Sequence, residues 1–107
     1  MKNQTTRYDI LFTKKSSYRI QAQKFRQKVF RKSDKGLDED RFDYNCVHCL
    51  LFDRLAGGKL VLVFRVTNYS SMSDIVSGYS GQFYDLTNIS NLSYSPLELG
   101  RFCVDPV

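Results

Sequence analysis

The stretch that decides the fold is HCLLFDRLAGGKLVLVFRVT, residues 48–67. Two apolar runs rich in Val, Leu and Phe, His48–Leu55 and Leu60–Thr67, flank the connection Ala56-Gly57-Gly58-Lys59. Short runs of this composition around a Gly-containing connection predict a β-hairpin. A Gly-Gly-Lys triplet also occurs in phosphate-binding loops, but the rest of that Gly-rich spacing is missing and a strand follows instead of a helix. We therefore interpret residues 56–59 as a hairpin turn.

On the N-terminal side of the hairpin, the sequence predicts one strand and one helix. Tyr8–Phe12 is a short apolar strand that ends at a polar stretch. From about Tyr18 to Lys32, apolar residues recur at steps of four, three and four among basic and amide side chains, which predicts an amphipathic helix. These apolar residues are Tyr18, Ala22, Phe25 and Val29. The pair Ser16-Ser17 precedes the pattern and is a candidate N-cap.

On the C-terminal side, a polar connection leads to a last strand. Residues 68–91 are rich in Ser, Asn, Gly and Tyr, and we predict helical turns near Met72–Val76 and Asp85–Ile89. A connection of this length often has a function. Pro96–Val104 predicts a strand, in which regular alternation places Glu98 and Arg101 on opposite faces. The order β-α-β-β-loop-β predicts a single α+β domain over residues 1–107, with a mostly antiparallel sheet and an amphipathic helix packed on it.

Basic residues are concentrated near the N-terminus. The chain has 16 Lys and Arg against 11 Asp and Glu, a formal net charge of +5. Residues 1–35 hold eleven of the basic residues and only two acidic ones, and the segment Asp38–Asp43 reverses the sign. This balance suits an acidic partner or a phosphate-bearing cofactor. Since no RNP-like or helix-turn-helix pattern accompanies it, nucleic-acid binding is not predicted.

The sequence shows no targeting or membrane-spanning pattern. Met1–Thr5 carries no apolar signal region, and apolar runs such as Leu60–Phe64 are too short to cross a bilayer. Three cysteines, an odd number in a chain without a secretion signal, favour reduced thiols over disulfides. We therefore expect a cytoplasmic protein without a transmembrane segment.

The tetrad Cys46-Val47-His48-Cys49 contains side chains that ligate metals and act as nucleophiles. A second Cys or His pair at ligand spacing is missing from the sequence, and in an extended segment Cys49 points away from Cys46 and His48. His48 is therefore not placed to activate Cys49. We predict no metal site and interpret the tetrad as a buried structural cluster.

Two charged residues, Glu98 and Arg101, lie inside the otherwise apolar last strand. Because an unpaired charge there is costly, each needs a partner. One interpretation is structural: Arg101 pairs with Asp40 or Asp43, and Arg65 pairs with another acid. The other is functional, since a carboxylate at the centre of a strand has a shifted pKa and can bind or deprotonate an amine. The residues by themselves leave both interpretations open.

Several short motifs together resemble one branch of a known superfamily. They are Arg26 to Phe30 on the helix, Asp40-Arg41-Phe42-Asp43 followed by Cys46 and His48, Arg65 at the end of a strand, and Glu98-Leu99-Gly100-Arg101-Phe102-Cys103-Val104. They resemble the ornithine N-acyltransferase and N-acyl amino acid synthase branch of the GNAT superfamily, sometimes labelled hemolysin-like. Acyl-homoserine-lactone synthases share this skeleton. The resemblance covers about Tyr18 to Val107 and implies the N-terminal half of a GNAT fold.

The resemblance also implies a function. It implies an enzyme that moves a fatty acyl group from an acyl carrier protein or coenzyme A thioester, its co-substrate, to the amine of an amino acid such as ornithine. No tightly bound cofactor is implied. Glu98 would be the general base or the acceptor-side carboxylate. The residues implied to bind the substrate or hold the site are Arg26, Phe30, Asp40, Asp43, Arg65 and Arg101. Basic residues of the helix would attract an acidic carrier protein, namely Lys24, Lys28 and Arg31.

The sequence departs from that family after the last strand. Family members continue into a basic, Gly-containing turn and a helix whose backbone amides hold the donor's phosphate, whereas this sequence has Asp105-Pro106-Val107. Residues that bind the donor's phosphate are therefore not identified. We interpret the chain as a truncated domain, or as one that a second copy or a second polypeptide completes. Two alternatives to a self-sufficient enzyme follow, a homodimer through the open edge of the last strand and a non-catalytic fragment that acts as a binding or oligomerisation module.

Overall fold

The computed structural model describes residues 6–31, 36–87 and 95–105. Its regular elements are β1 (Tyr8–Thr13), α1 (Ser16–Arg31), β2 (Val47–Asp53), β3 (Lys59–Asn68) and β4 (Leu97–Val104). Short 3-10 turns lie in the connections, at Arg41–Tyr44, Arg54–Ala56, Met72–Ser77 and Ser80–Gln82. This order confirms the predicted α+β architecture. In these described ranges, no helix combines the length and the apolar character that a membrane span requires.

The four strands form one antiparallel sheet in sequence order, β1-β2-β3-β4. The predicted β2–β3 hairpin is confirmed, and it lies at the centre of the sheet. β2 ends at Asp53 rather than at Leu55, because residues 54–56 leave the strand in a 3-10 turn that Asp53 caps. Gly57 and Gly58 then reverse the chain with φ angles of 72° and 79°, in the left-handed region that glycine adopts without a steric cost.

α1 packs its apolar stripe on one face of the sheet, which confirms the predicted amphipathic helix. Ala22 joins Leu50, Val63 and Cys103 in the fully buried core. The other residues of the stripe, Tyr18, Phe25 and Val29, pack against this core. The predicted serine cap is wrong, because Ser16 and Ser17 are the first two residues of the helix itself. The predicted end at Lys32 lies outside the described residues.

The connection from β3 to β4 contains short turns in the part that the structure describes, residues 69–87 and 95–96. The predicted turn near Met72–Val76 is confirmed as the 3-10 turn Met72–Ser77, and a further turn forms at Ser80–Gln82. The turn predicted at Asp85–Ile89 stays a prediction, because residues 88 and 89 lie outside the described part. The two observed turns bring this connection to the C-terminal half of β3, where the charged residues are.

β4 does not alternate regularly, because it contains a β-bulge. Val63 pairs with Cys103 and Arg65 pairs with Gly100, so three residue steps on β4 oppose two on β3. Arg101 has a φ of 53°, in the left-handed region that non-glycine residues rarely occupy. This combination of an extra residue and a left-handed backbone is typical of a bulge. The bulge reverses the alternation of side chains between the two halves of the strand.

The predicted placement of Glu98 and Arg101 on opposite faces is therefore wrong. Glu98 pairs with Thr67, which lies two residues from Arg65 and so on the same face. The extra residue turns Arg101 to that face as well, where its guanidinium approaches Asp40. The opposite face of β4 carries four apolar side chains that are each more than half exposed, Leu97, Leu99, Phe102 and Val104.

Candidate functional site

The acidic segment after α1 folds into a compact turn that is held by its own aspartates. Asp40 caps the turn Arg41–Tyr44, because its Oδ1 accepts a hydrogen bond from the Phe42 N–H at 3.0 Å. Asp43 completes a capping box, since its Oδ2 accepts from the Asp40 N–H at 3.2 Å. Each aspartate thus fixes the backbone of this turn. The Asp43 carboxylate also faces the arginines of α1 and β3, and the Asp40 carboxylate faces the arginine of β3.

Two buried arginines neutralise this turn. Arg26 of α1 donates from Nη2 to Asp43 Oδ2 at 2.7 Å and from Nε to Asp38 Oδ2 at 3.0 Å. Arg65 of β3 donates from Nη1 to Asp40 and to Asp43, both at 2.8 Å, and from Nη2 to Asp40 at 3.0 Å. The side chains of Arg26 and Asp43 are 1% and 0% exposed. The helix, the acidic turn and the sheet are therefore joined by fully desolvated ion pairs.

The arginines keep both aspartates of the turn ionised. Burial acts to raise the pKa of Asp43, but hydrogen bonds from Arg26, Gln23 and Arg65 outweigh it and lower the pKa to about 2. Burial also acts to raise the pKa of Asp40, and the guanidinium of Arg65 again lowers it below the ordinary value. Because the protein's own cations occupy these carboxylates, they have little remaining capacity for a substrate amine.

Arg101, at the bulge in β4, also approaches two aspartates of the acidic segment, but over longer distances. Its Nη2 is 3.4 Å from Asp40 Oδ2, and its Nη1 is 3.7 Å from Asp38 Oδ2. The side chain of Arg101 is 24% exposed, compared with 2% for that of Arg65. Arg101 is thus the arginine of the group that solvent can reach. We refer to Arg26, Asp38, Asp40, Asp43, Arg65 and Arg101 together as the charge cluster.

Glu98 lies on the same face of the sheet but is held by other partners. Its Oε1 accepts a hydrogen bond from the Tyr69 hydroxyl at 2.6 Å, and its Oε2 accepts one from the Ser80 N–H at 2.9 Å. Burial acts to raise the pKa of Glu98, but hydrogen bonds from the Ser80 side chain, the Tyr69 hydroxyl and the Ser80 N–H, together with the positive charge of Arg65, prevail and lower it. Glu98 is therefore an ionised, half-buried carboxylate at neutral pH.

Tyr79 connects Glu98 to the charge cluster. The Cζ atoms of Arg65 and Arg101 lie 4.8 Å and 5.5 Å from the centroid of the Tyr79 ring, within the range of cation–π attraction. The next residue, Ser80, is the one that donates its N–H to Glu98. A single turn of the β3–β4 connection thus covers two guanidinium groups and fixes the carboxylate beside them.

A scan against protein families matches residues 17–107 to the acetyltransferase (GNAT) domain. The chain belongs to the GNAT acetyltransferase family. No curated protein and no solved structure matches it. Membership in the GNAT family confirms the superfamily that the motifs resemble and supports acyltransferase chemistry with an acyl-CoA-type donor. It leaves open the branch of the superfamily, the acceptor and the carrier of the acyl group.

The structure of this GNAT domain brings together most of the residues implied by the resemblance. Five of them belong to the charge cluster, Arg26, Asp40, Asp43, Arg65 and Arg101, and Glu98 is next to it. Phe30 is different, because its side chain is 45% exposed on α1 and is not enclosed in the site. Its role in substrate binding stays a prediction. The sequence did not indicate Asp38, Tyr69, Tyr79 or Ser80, which lie in connections where no periodicity shows which side chains turn inward.

A second buried group of ligand-type side chains adjoins the charge cluster of the GNAT domain. Asp43, Cys46 and His48 each place one potential ligand atom within 4.8 Å of the others. The His48 Nε2 lies 2.8 Å from the Asp43 carbonyl oxygen and 3.5 Å from Cys46 Sγ. Burial raises the pKa of the Cys46 thiol to about 11, and two guanidinium groups already occupy the Asp43 carboxylate. A protonated thiol and two adjacent positive charges both oppose cation binding, so this geometry favours a structural role.

Proposed function

We propose that this GNAT domain is an N-acyltransferase that transfers a fatty acyl group from an acyl carrier protein or coenzyme A thioester to the amine of an amino acid, with ornithine as the first acceptor to test. The observation that supports it is the ionised carboxylate of Glu98 on the same face of the sheet as the charge cluster. An amino acid carries both a cation and an anion. An anionic group beside guanidinium groups matches that pair of charges.

Glu98 is suited to bind the acceptor's amine. A carboxylate has about four lone-pair sites, and the Tyr69 hydroxyl, the Ser80 N–H and the Ser80 side chain use three of them at Glu98, which leaves one for the amine. The lowered pKa makes Glu98 a weak base, whereas a general base works best with a pKa near the working pH. We therefore assign Glu98 to holding the amine and to stabilising the positive charge that its nitrogen gains during attack, in preference to removing the proton.

The proposed reaction forms one amide bond and breaks one thioester bond. The lone pair of the neutral amine attacks the thioester carbonyl carbon, and the tetrahedral intermediate then expels the thiolate. The nitrogen loses one proton and the thiolate gains one, so no oxidant or reductant is needed. Fixed charges that face the developing charges of the intermediate lower the barrier, because they need no reorganisation during the reaction.

The buried part of the charge cluster has a supporting role in this proposal. Arg26 and Arg65 each bind two aspartates, and Asp43 is completely buried. Side chains in that state position their neighbours and do not contact a substrate. We therefore assign Asp43, Arg26 and Arg65, together with the partly exposed Asp40 that Arg65 binds, to holding the acidic turn against α1 and β3.

The test is a mass-spectrometric assay of the purified protein with long-chain acyl carrier protein and coenzyme A thioesters and a panel of amino acids. We expect an N-acyl amino acid from the wild type and a loss of about a hundredfold or more in rate for Glu98→Gln. Glutamine keeps the size of the side chain and an acceptor for the Ser80 N–H, so the fold is retained. Tyr69→Phe is the matched control, because it removes one hydrogen bond to Glu98 but keeps the charge, and we expect a smaller loss. Absence of product with every donor and acceptor overturns the proposal.

A second candidate function is a binding or oligomerisation module without catalysis. β4 is an edge strand of the sheet, and its outward face carries the exposed side chains Leu97, Leu99, Phe102 and Val104. An open edge beside an apolar surface suits strand addition by a second copy of the chain. Light scattering after size exclusion tests this alternative. A dimer that Leu99→Lys dissociates, together with the absence of acyl transfer, would favour it over the enzyme.

A further inference from the structure

Arg101 is a surplus cation beside the three aspartates of the charge cluster once Arg31, which lies outside the cluster, is counted, because each aspartate then has a closer arginine. Asp38 accepts from Arg26 Nε at 3.0 Å and from Arg31 Nη2 at 2.9 Å. Asp40 is bound by two nitrogens of Arg65 at 2.8 Å and 3.0 Å. The contacts of Arg101 to these two carboxylates are 3.4 Å and 3.7 Å, longer than good charge-assisted hydrogen bonds. Its charge is not needed to neutralise the aspartates.

One donor of Arg101 has no partner within the described part of the chain. The Nε atom is buried and makes no hydrogen bond there. Buried donors in folded proteins nearly always have partners, so an exception requires an explanation. The Nε atom and one Nη atom of a guanidinium together form the fork that binds a carboxylate through two parallel hydrogen bonds. A carboxylate ligand would give Nε its missing acceptor.

The backbone of Arg101 points to the same explanation. Among the described residues, Arg101 is the only non-glycine residue with a positive φ, at 53°. A long side chain in this conformation is strained, and strain of this kind is concentrated at functional sites. Glycine fits a left-handed backbone best, yet the strained position holds an arginine, and the glycine is its neighbour Gly100. The bulge turns this guanidinium to the face that carries Glu98.

We propose that Arg101 binds the α-carboxylate of the acceptor amino acid and thereby selects α-amino acids over simple amines. This inference rests on the proposed function and deepens it. In this proposal the guanidinium turns when the ligand arrives, so that its buried Nε and one Nη become accessible to the carboxylate, and the amine of the same molecule faces Glu98. The long contact between Arg101 and Asp40 is the one that the ligand replaces. Arg65 stays on its aspartates, because its donors already have short bonds.

The test compares the binding of L-ornithine with that of putrescine, which lacks only the carboxylate. Chemical-shift titrations of the labelled protein measure both affinities without requiring turnover. We expect the wild type to bind ornithine about tenfold or more tightly than putrescine, because a charge-assisted pair of hydrogen bonds is lost with the carboxylate. Arg101→Gln should abolish this preference, and Arg101→Lys should restore only part of it. Arg54→Gln is the matched control, since Arg54 is an exposed arginine paired with Asp9, and it should keep the full preference.

Arg101→Gly is a second variant, which keeps the test valid if Arg101→Gln does not fold, because glycine accepts the left-handed backbone. It should also lose the preference while its circular dichroism stays that of the wild type. Equal binding of ornithine and putrescine by the wild type overturns the inference, and so does an Arg101→Gln variant whose KM rises for the acyl donor but not for the acceptor. Failure of the proposed function gives a different result. If no donor gives product but the preference for ornithine depends on Arg101, the carboxylate-binding site is supported and acyl transfer is refuted.

Discussion

The two ends of the sheet carry ion pairs of almost the same length in very different surroundings. In the charge cluster, Arg26 and Asp43 are 2.7 Å apart with side chains 1% and 0% exposed. At the opposite end, Arg54 and Asp9 are 2.6 Å apart with side chains 47% and 54% exposed. The two pairs therefore differ in their exposure to solvent and not in the distance between their charges. Water screens an exposed pair and solvates each partner when the pair is broken, whereas a buried charge that loses its partner remains unsolvated.

The comparison also shows why the arginines of the charge cluster differ among themselves. Arg26 and Arg65 are as buried as Asp43 and are fully engaged, so they behave as parts of the core. Arg101 is 24% exposed and loosely engaged, so it lies between the buried and the exposed pairs. Residues with that intermediate status can exchange a protein partner for a ligand at a small cost to the fold.

Removing the buried charge should have the largest effect on stability. Asp43→Asn leaves Arg26 and Arg65 buried beside a neutral side chain, and we expect the free energy of unfolding to fall by about 3–5 kcal/mol. Urea denaturation followed by circular dichroism measures the change. Asp40→Asn is the matched control, because its carboxylate is 23% exposed and water can replace part of the lost interaction. Equal losses for the two variants would contradict the argument from burial.

Acid should weaken the same pair over a defined range of pH. The pKa of Asp43 is lowered from an ordinary 3.8 to about 2, so the folded protein binds this proton less readily than the unfolded chain does. Its stabilising contribution is complete above about pH 4 and is lost as the pH falls through 2. A shift of this size corresponds to about 2 kcal/mol. Urea denaturation between about pH 4 and pH 2 should therefore show a steeper loss for the wild type than for Asp43→Asn, and parallel curves would refute the assignment.

Changing the residue at the bulge should alter the stability of the protein less. Arg101→Gly and Arg101→Ala remove the same charge, but only glycine accepts a φ of 53° without steric conflict. We expect the glycine variant to be more stable than the alanine variant by about 1 kcal/mol. Thermal unfolding of the two variants measures the difference. An alanine variant that matches or exceeds the glycine variant would show that the left-handed conformation is not maintained in solution.

The sequence predicted the architecture and most of the charge cluster. The hairpin of residues 48–67 and the apolar stripe of α1 follow from hydrophobic period, and these elements bring Arg26 and Arg65 to the same side. The faces of β4 were predicted wrongly, because strict alternation assumes a regular ladder. Gly100 was the available signal, since an isolated glycine inside a strand often marks a bulge.

Other parts of the site depend on contacts that no local pattern specifies. Three acids lie close together in residues 38–40, and the structure buries Asp38 while Glu39 stays exposed beside Tyr44. The positions of Arg26 and Arg65 in the fold decide which of these acids turn inward. Tyr69 and Ser80 are similar, because they reach Glu98 through the path of a long connection. Tertiary contacts of this kind become visible only when the chain is folded.

The smallest effect is expected for the exposed pair. Asp9→Asn removes the partner of Arg54 at 2.6 Å, although both side chains are about half exposed. Arg54 also donates to the Thr6 carbonyl oxygen, so its guanidinium keeps one protein contact and gains water where Asp9 was. Because water replaces the lost interaction and salt screens it, we expect no measurable change in melting temperature at physiological ionic strength. A scan at low and at physiological salt checks this. A loss as large as that of Asp43→Asn would mean that pairing, and not burial, determines what each carboxylate contributes to the fold.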